Sequence, residues 1–138
     1  MKLSARRIDS AAIEKGVEIG NIPEWGDLKL VARGSQNADW RNLRAKLVAE
    51  TAARDILPDG NLRPSRLEEI GIELLVEAGI TGWSGLLNED DTPMPFSKAA
   101  LREIITNPDY IRFRGACIYA CDKVHDVAAG RTETERKN

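Results

Sequence analysis

A mainly α-helical domain with an amino-terminal β-hairpin is the fold this sequence predicts, and three observations lead to it. Apolar residues recur at a two-residue period before Asp39 and at every third or fourth position after it. Proline, glycine and capping residues divide the chain beyond that point into about four helical stretches. A chain of 138 residues with 42% hydrophobic and 30% charged residues suits one water-soluble core. Residues 1–130 read as that domain, and 131–138 (Arg-Thr-Glu-Thr-Glu-Arg-Lys-Asn) as a polar, flexible tail.

The hairpin comes first. Lys15–Ile19 and Leu28–Arg33 alternate in polarity and are separated by the turn-rich Gly20-Asn21-Ile22-Pro23-Glu24-Trp25-Gly26. A two-residue period turns Leu28, Leu30 and Ala32 inward and Lys29, Val31 and Arg33 outward. Ahead of it, Met1–Glu14 lacks the unbroken apolar stretch of a secretory signal, so a cytoplasmic location is expected.

Trp40, Leu43, Leu47, Ala52 and Ile56 mark a helix from about Asp39 to Leu57, with Asp39 as its cap and Pro58-Asp59-Gly60-Asn61 as its stop. A second helix follows Pro64, where Ser65 and Glu68 match a capping box. Its apolar stripe is Leu67, Ile70, Leu74, Leu75 and Ala78, and Gly79 ends it. Residues 82–96 hold two glycines, two prolines and an acidic cluster, so they read as a long loop without a regular element. Trp83, Leu86 and Phe96 are too large and apolar to be left in water, and the loop is expected to pack back on the helices. Ser97 caps a short helix carrying Leu101, Ile104 and Ile105. Asn107-Pro108 starts the last one, whose single face carries Tyr110, Phe113, Cys117, Ala120, Cys121, Val124 and Val127 before Gly130.

Composition excludes several function classes. Twenty basic and 22 acidic side chains are too balanced for a general nucleic-acid binder, and no apolar run spans a bilayer. The charges are nevertheless sorted along the chain. Residues 33–66 carry seven basic groups against four acidic ones, and residues 67–91 carry seven acidic groups and no basic one. Two solvated helix faces account for this, and so does head-to-tail association of copies into a homo-oligomer.

Chemistry finds no anchor. Cys117 and Cys121, four apart on a helix, suit neither a disulfide nor a redox pair, and reduced thiols are expected. With the one histidine, His125, they could form an incomplete zinc set or a nucleophile–base pair, but a continuous helix offers no oxyanion donors, and small thiols in a core explain them better. Glu89-Asp90-Asp91 lacks the spacing of a calcium loop. No phosphate cradle or zinc-protease motif occurs, so no enzyme activity, cofactor or metal is expected.

One stretch is familiar. Thr81-Gly82-Trp83-Ser84-Gly85-Leu86, an acidic turn, Thr92-Pro93-Met94-Pro95-Phe96-Ser97, a short helix and Asn107-Pro108 resemble the tail assembly chaperones of long-tailed bacteriophages and prophages. Those proteins carry a W-x-G loop, a short acidic or glycine turn, P-x-P-F-S/T and two helices in that order. The likeness is strongest over residues 81–110 and extends more loosely to Trp25–Arg33. Where the family often has glycine in the turn, this chain has Glu89-Asp90-Asp91-Thr92. The resemblance implies a non-enzymatic role in the host cytoplasm: coating the long helical tape measure protein and handing it over as major tail tube protein polymerises. The surfaces expected to serve are Trp83, Leu86 and Phe96 in the loop, with Tyr110 and Phe113 on the last helix. A tail-completion or head–tail connector protein built into the virion is the alternative.

Overall fold

The computed structural model describes residues 1–130, so the tail read at 131–138 lies outside the described residues. Among the described residues are five α-helices, α1 (Ser10–Lys15), α2 (Ala38–Ala49), α3 (Pro64–Ala78), α4 (Lys98–Thr106) and α5 (Ile111–Ala128). Three short strands, β1 (Val17–Ile19), β2 (Lys29–Ala32) and β3 (Ile80–Ser84), form one antiparallel sheet in that order. The fold is mainly α, as predicted.

The expected hairpin forms, with Val17 opposite Ala32 and Ile19 opposite Leu30. Leu28, Leu30 and Ala32 are buried, whereas Lys29 is exposed. Two elements were not foreseen. Helix α1, capped by the Asp9 carboxylate, lies before the hairpin and packs on α5, where the Asp9 N–H donates to the Ala128 carbonyl at 2.7 Å. Residues 80–84, read from 82 onward as irregular, form β3, which pairs with β2 through a bulge at Val31/Ala32. The reading failed because Thr-Gly-Trp-Ser is a weak strand former whose partner edge lies some fifty residues away, and strand formation depends more on context than helix formation does.

Helix α2 is shorter than predicted, ending at Ala49 rather than Leu57. Side chains take over its last carbonyls: Thr51 Oγ1 and Arg66 Nη2 both donate to Leu47 O, at 2.9 and 2.7 Å. The chain then makes a 3-10 turn at Ala53–Asp55, and Ile56, assigned to the helix stripe, bridges to Leu62 with 41% of its surface exposed. The cap is Asn37 rather than Asp39. Its side-chain oxygen accepts from Trp40 N–H at 2.9 Å while its amide donates to the carbonyls of Gly34 and Ala78, which a carboxylate cannot do. Asp39 sits in the first turn and pairs with Arg33 at 2.8 Å.

Helix α3 begins at Pro64 with Arg63 at its cap position, so Ser65 already lies inside the first turn and the capping box does not form. Leu67 is half exposed, and the buried face is Ile70, Leu74, Leu75, Val76 and Ala78. Ser97 caps α4 as predicted, its hydroxyl accepting from Ala100 N–H at 3.0 Å. Asn107 and Pro108 begin a 3-10 turn rather than α5 itself. On α5, Phe113, Cys117, Ala120, Cys121 and Val124 are buried with Ala116 and Ala128, while Tyr110 and Val127 are exposed.

The core joins the inner face of the sheet to α3, α4 and α5. Around it the acidic stretch of the sequence is largely neutralised from within. Glu68 pairs with Arg114, Glu69 with Arg66, Glu73 with Arg102, and Glu77 with Arg102 and Lys98.

Candidate functional site

The segment from Trp83 to Phe96 is a tightly tied loop. Leu86 O accepts from Met94 N–H at 2.9 Å, Leu87 bridges to Pro93, and Thr92 O accepts from Asn88 N–H at 2.8 Å. At its tip the Asp90 carboxylate accepts from the hydroxyl and the N–H of Thr92, and the first of these, the larger cause, holds its pKa below the ordinary value. Asp91 follows with φ of 67°, a left-handed position that glycine favours and aspartate tolerates. At the other end Gly85 has φ of 81°, and a Cβ there would lie 2.5 Å from Asp27 O. Only glycine fits beneath that approach.

Four aromatic rings anchor the loop. Trp83 on β3 stands opposite Leu30, and its ring meets Phe96 edge-on at 4.8 Å and Phe113 at 6.1 Å. Trp25, from the hairpin turn, packs on the same Phe113 at 5.4 Å. Such T-shaped pairs add about 0.5–1.5 kcal/mol each beyond area burial. From the sequence Trp25 is read as part of the turn and of the looser resemblance over Trp25–Arg33, and not as a partner of the loop. Its aromatic character within a Pro-Glu-Trp-Gly turn was the available signal, since a turn seldom spends a tryptophan on solvent.

The five candidate residues are thus brought close but differ in presentation. Phe113 is 2% exposed and supports the loop from beneath. Trp83 and Leu86 are half-buried against the core, and Trp83 donates its indole N–H to Met94 O at 2.9 Å. Phe96 and Tyr110 share an open groove of about 560 Å³ with Met94, Ala100 and Ile104. Tyr110 is 52% exposed at the junction between the 3-10 turn and α5. Ile104, read from the sequence as an apolar residue of the short helix, forms part of the groove wall, and with Met94 and Ala100 it is among the lining residues that sequence reasoning did not single out.

The model of the YdaY prophage protein family matches residues 34–138, well over half of the chain. The chain belongs to this prophage family. The YdaY match takes in β3, the tied loop, α4 and α5, and therefore every one of the five candidates. No curated protein and no solved structure matches the chain.

The two thiols and the imidazole of this YdaY-family protein lie on α5. Cys117 and Cys121 are buried free thiols. Burial raises both, Cys121 to about 12 and Cys117 further. His125 Nε2 lies 2.7 Å from the Ser35 carbonyl, which can only accept, so this nitrogen carries the proton. Ser35 Oγ is 3.2 Å from the same nitrogen and donates to Asp122 at 2.9 Å. Serine, histidine and aspartate therefore meet, but the ring nitrogen that would act as base is committed to a carbonyl, and the aspartate holds the hydroxyl rather than the imidazole. Among the described residues no group of three His, Cys, Asp or Glu side chains is placed to hold a metal ion, and no helix is long and apolar enough to cross a membrane.

Proposed function

We propose that this YdaY-family protein is a tail assembly chaperone, acting without catalysis in the host cytoplasm. It binds the tape measure protein, keeps it soluble and helps to recruit major tail tube subunits. The observation that carries the reading is the open groove between the P-x-P-F segment and the start of α5, walled by Phe96, Tyr110, Ile104 and Met94. An apolar groove on rigid walls suits the apolar face of an amphipathic helix, the element a long coil-forming client supplies in quantity. Membership of a prophage family and the W-x-G loop motif support the same reading. The aromatic cluster supports the groove: Trp83 packs edge-on against Phe96 and is itself backed by Phe113.

Co-expression with the tape measure protein of the same prophage is the test. The unaltered chain co-purifies with it, and Ile104→Asp or Tyr110→Asp loses it while keeping the far-ultraviolet circular dichroism of the parent. Undiminished co-purification of both variants would remove the groove from the model. Detection of the chain in purified, finished particles would replace the chaperone reading by that of a virion component.

A further inference from the structure

Residues 1–8, Met-Lys-Leu-Ser-Ala-Arg-Arg-Ile, are all exposed, and the 3-10 turn they contain at Leu3–Arg6 buries no side chain. Large apolar groups are among them: Leu3 is 89% exposed and Met1 98%. The base of this arm is fixed, because Asp9 caps α1 and donates its N–H to the Ala128 carbonyl at the end of α5. An ordered stem that holds aliphatic side chains in water marks an interaction segment. Its charge is of one sign. Lys2, Arg6 and Arg7 make no ion pair among the described residues, and no acidic residue lies between Met1 and Ile8, in a chain whose net charge is −2.

The groove at Phe96 has the opposite character. Glu103 is the one charged side chain that lines it, and it is exposed and makes no ion pair among the described residues. The two bases of α4 are turned the other way, Lys98 to Glu77 and Arg102 to Glu73 and Glu77 on α3. Outside the lining, Asp109 precedes Tyr110 and Glu89 follows Asn88, so the chain entering and leaving the rim is acidic as well. An apolar groove with a carboxylate on its wall complements an apolar segment flanked by bases.

Reach decides which copy supplies the arm. Tyr110, on the groove wall, and Ala128, beside the base of the arm, stand at opposite ends of the 18-residue helix α5, about 27 Å apart at 1.5 Å per residue. Leu3 is six residues from Asp9, so even a fully extended arm carries it only about 20 Å. It cannot reach Tyr110 of its own chain.

We infer that the groove at Phe96 is a docking site for the amino-terminal arm of a second copy of this chain, with Leu3 among its apolar walls and the arm's bases toward Glu103. The contact is heterologous, arm to groove, and joins copies head to tail. Docking of the arm rests on the same groove that serves the tape measure protein in the reading above, and makes the arm a cover that the client displaces.

Sedimentation velocity of the full chain over a range of concentrations, with no tape measure protein present, is the test. The parent should pass from monomer to larger species as concentration rises, and less readily as salt rises. Leu3→Asp, which alters only the arm, and Ile104→Asp, which alters only the groove, should each weaken association by about tenfold or more. A mixture of the two variants should form dimers and nothing larger, because the pair holds one intact arm and one intact groove. Glu103→Lys should also weaken association, and should regain it when mixed with a chain whose Lys2, Arg6 and Arg7 are changed to glutamate. All four of these charged side chains are exposed, so the charge exchange decides the matter even if Ile104→Asp fails to fold. Leu3→Asp should still capture the tape measure protein, since its groove is open; failure of self-association and failure of capture are therefore separate results. A parent that stays monomeric, association that Leu3→Asp leaves unchanged, a mixture that forms no dimer, or loss of tape measure capture through Leu3→Asp would each overturn the inference.

Discussion

Trp83 and Met94, eleven residues apart, are joined by a hydrogen bond of 2.9 Å from the indole N–H to the backbone carbonyl. This one bond fastens the start of the W-x-G loop to the P-x-P-F segment that forms a groove wall. Its ring meanwhile packs on Phe96 and Phe113. The tryptophan thus serves both as apolar mass and as a positioned donor, which phenylalanine cannot replace.

Trp83→Phe is therefore expected to cost about 1–2 kcal/mol, combining an unsatisfied Met94 carbonyl with a smaller ring. Urea unfolding should show a lower midpoint at unchanged slope. An unaltered midpoint would mean that the bond contributes nothing.

The two ends of the loop make opposite demands. Gly85→Ala places a Cβ 2.5 Å from Asp27 O at a positive φ, and a loss of about 2 kcal/mol or more is expected. Asp91→Gly relieves a left-handed residue at φ of 67° that is exposed and whose side chain the loop does not use, so its effect should be neutral or stabilising by up to about 1 kcal/mol. Thermal unfolding of the two variants side by side checks the contrast.

Local signals in this sequence were legible and distant ones were not. Ser97 at the cap of α4, Gly79 at the end of α3 and the inward face of β2 follow from neighbours within a few residues. Strand β3 depends on the free edge of β2, and the early end of α2 depends on Arg66 reaching back to Leu47 O, neither of which any local pattern announces. The same division runs through the site. The loop motif holds Trp83 and Phe96, whose rings meet edge-on, but it does not reach Phe113, which Trp25 covers from the hairpin turn and which is buried while Tyr110, one 3-10 turn earlier, is exposed.

Asn37 is fully buried, and each part of its amide is used: it accepts from Trp40 N–H and donates to Gly34 O and Ala78 O at 2.9 and 2.8 Å. It joins the start of α2 to the end of α3. Asn37→Asp keeps the capping acceptor but turns a carboxylate toward two carbonyl oxygens, and should destabilise by more than the ~1 kcal/mol of an ordinary lost cap. Lowering the pH should recover part of the loss, because a protonated acid donates once. Equal midpoints for Asn37→Asp at pH 4.5 and pH 7, relative to the parent at each pH, would contradict this account.

The thiols of α5 link the core to alkaline stability. Cys121 is raised from an ordinary 9.0 to about 12, chiefly by desolvation, with the nearby Asp122 charge adding to it. Cys117 is raised further, again by desolvation first and by Cys121 second. A thiol whose folded pKa lies above its unfolded value contributes full stability below the unfolded value and loses it as pH rises toward the folded one. Stability should therefore fall from about pH 9 upward, by about 1.4 kcal/mol per pH unit for each thiol while only the unfolded chain ionises. Cys117→Ala with Cys121→Ala costs stability at neutral pH by cavity formation but should flatten that alkaline slope. In the native parent at pH 8 neither thiol should react with a thiol-specific reagent until urea opens the core, because the neutral, buried form is not nucleophilic. Rapid labelling of folded protein at that pH would show that α5 lifts off the sheet far more often than its packing implies.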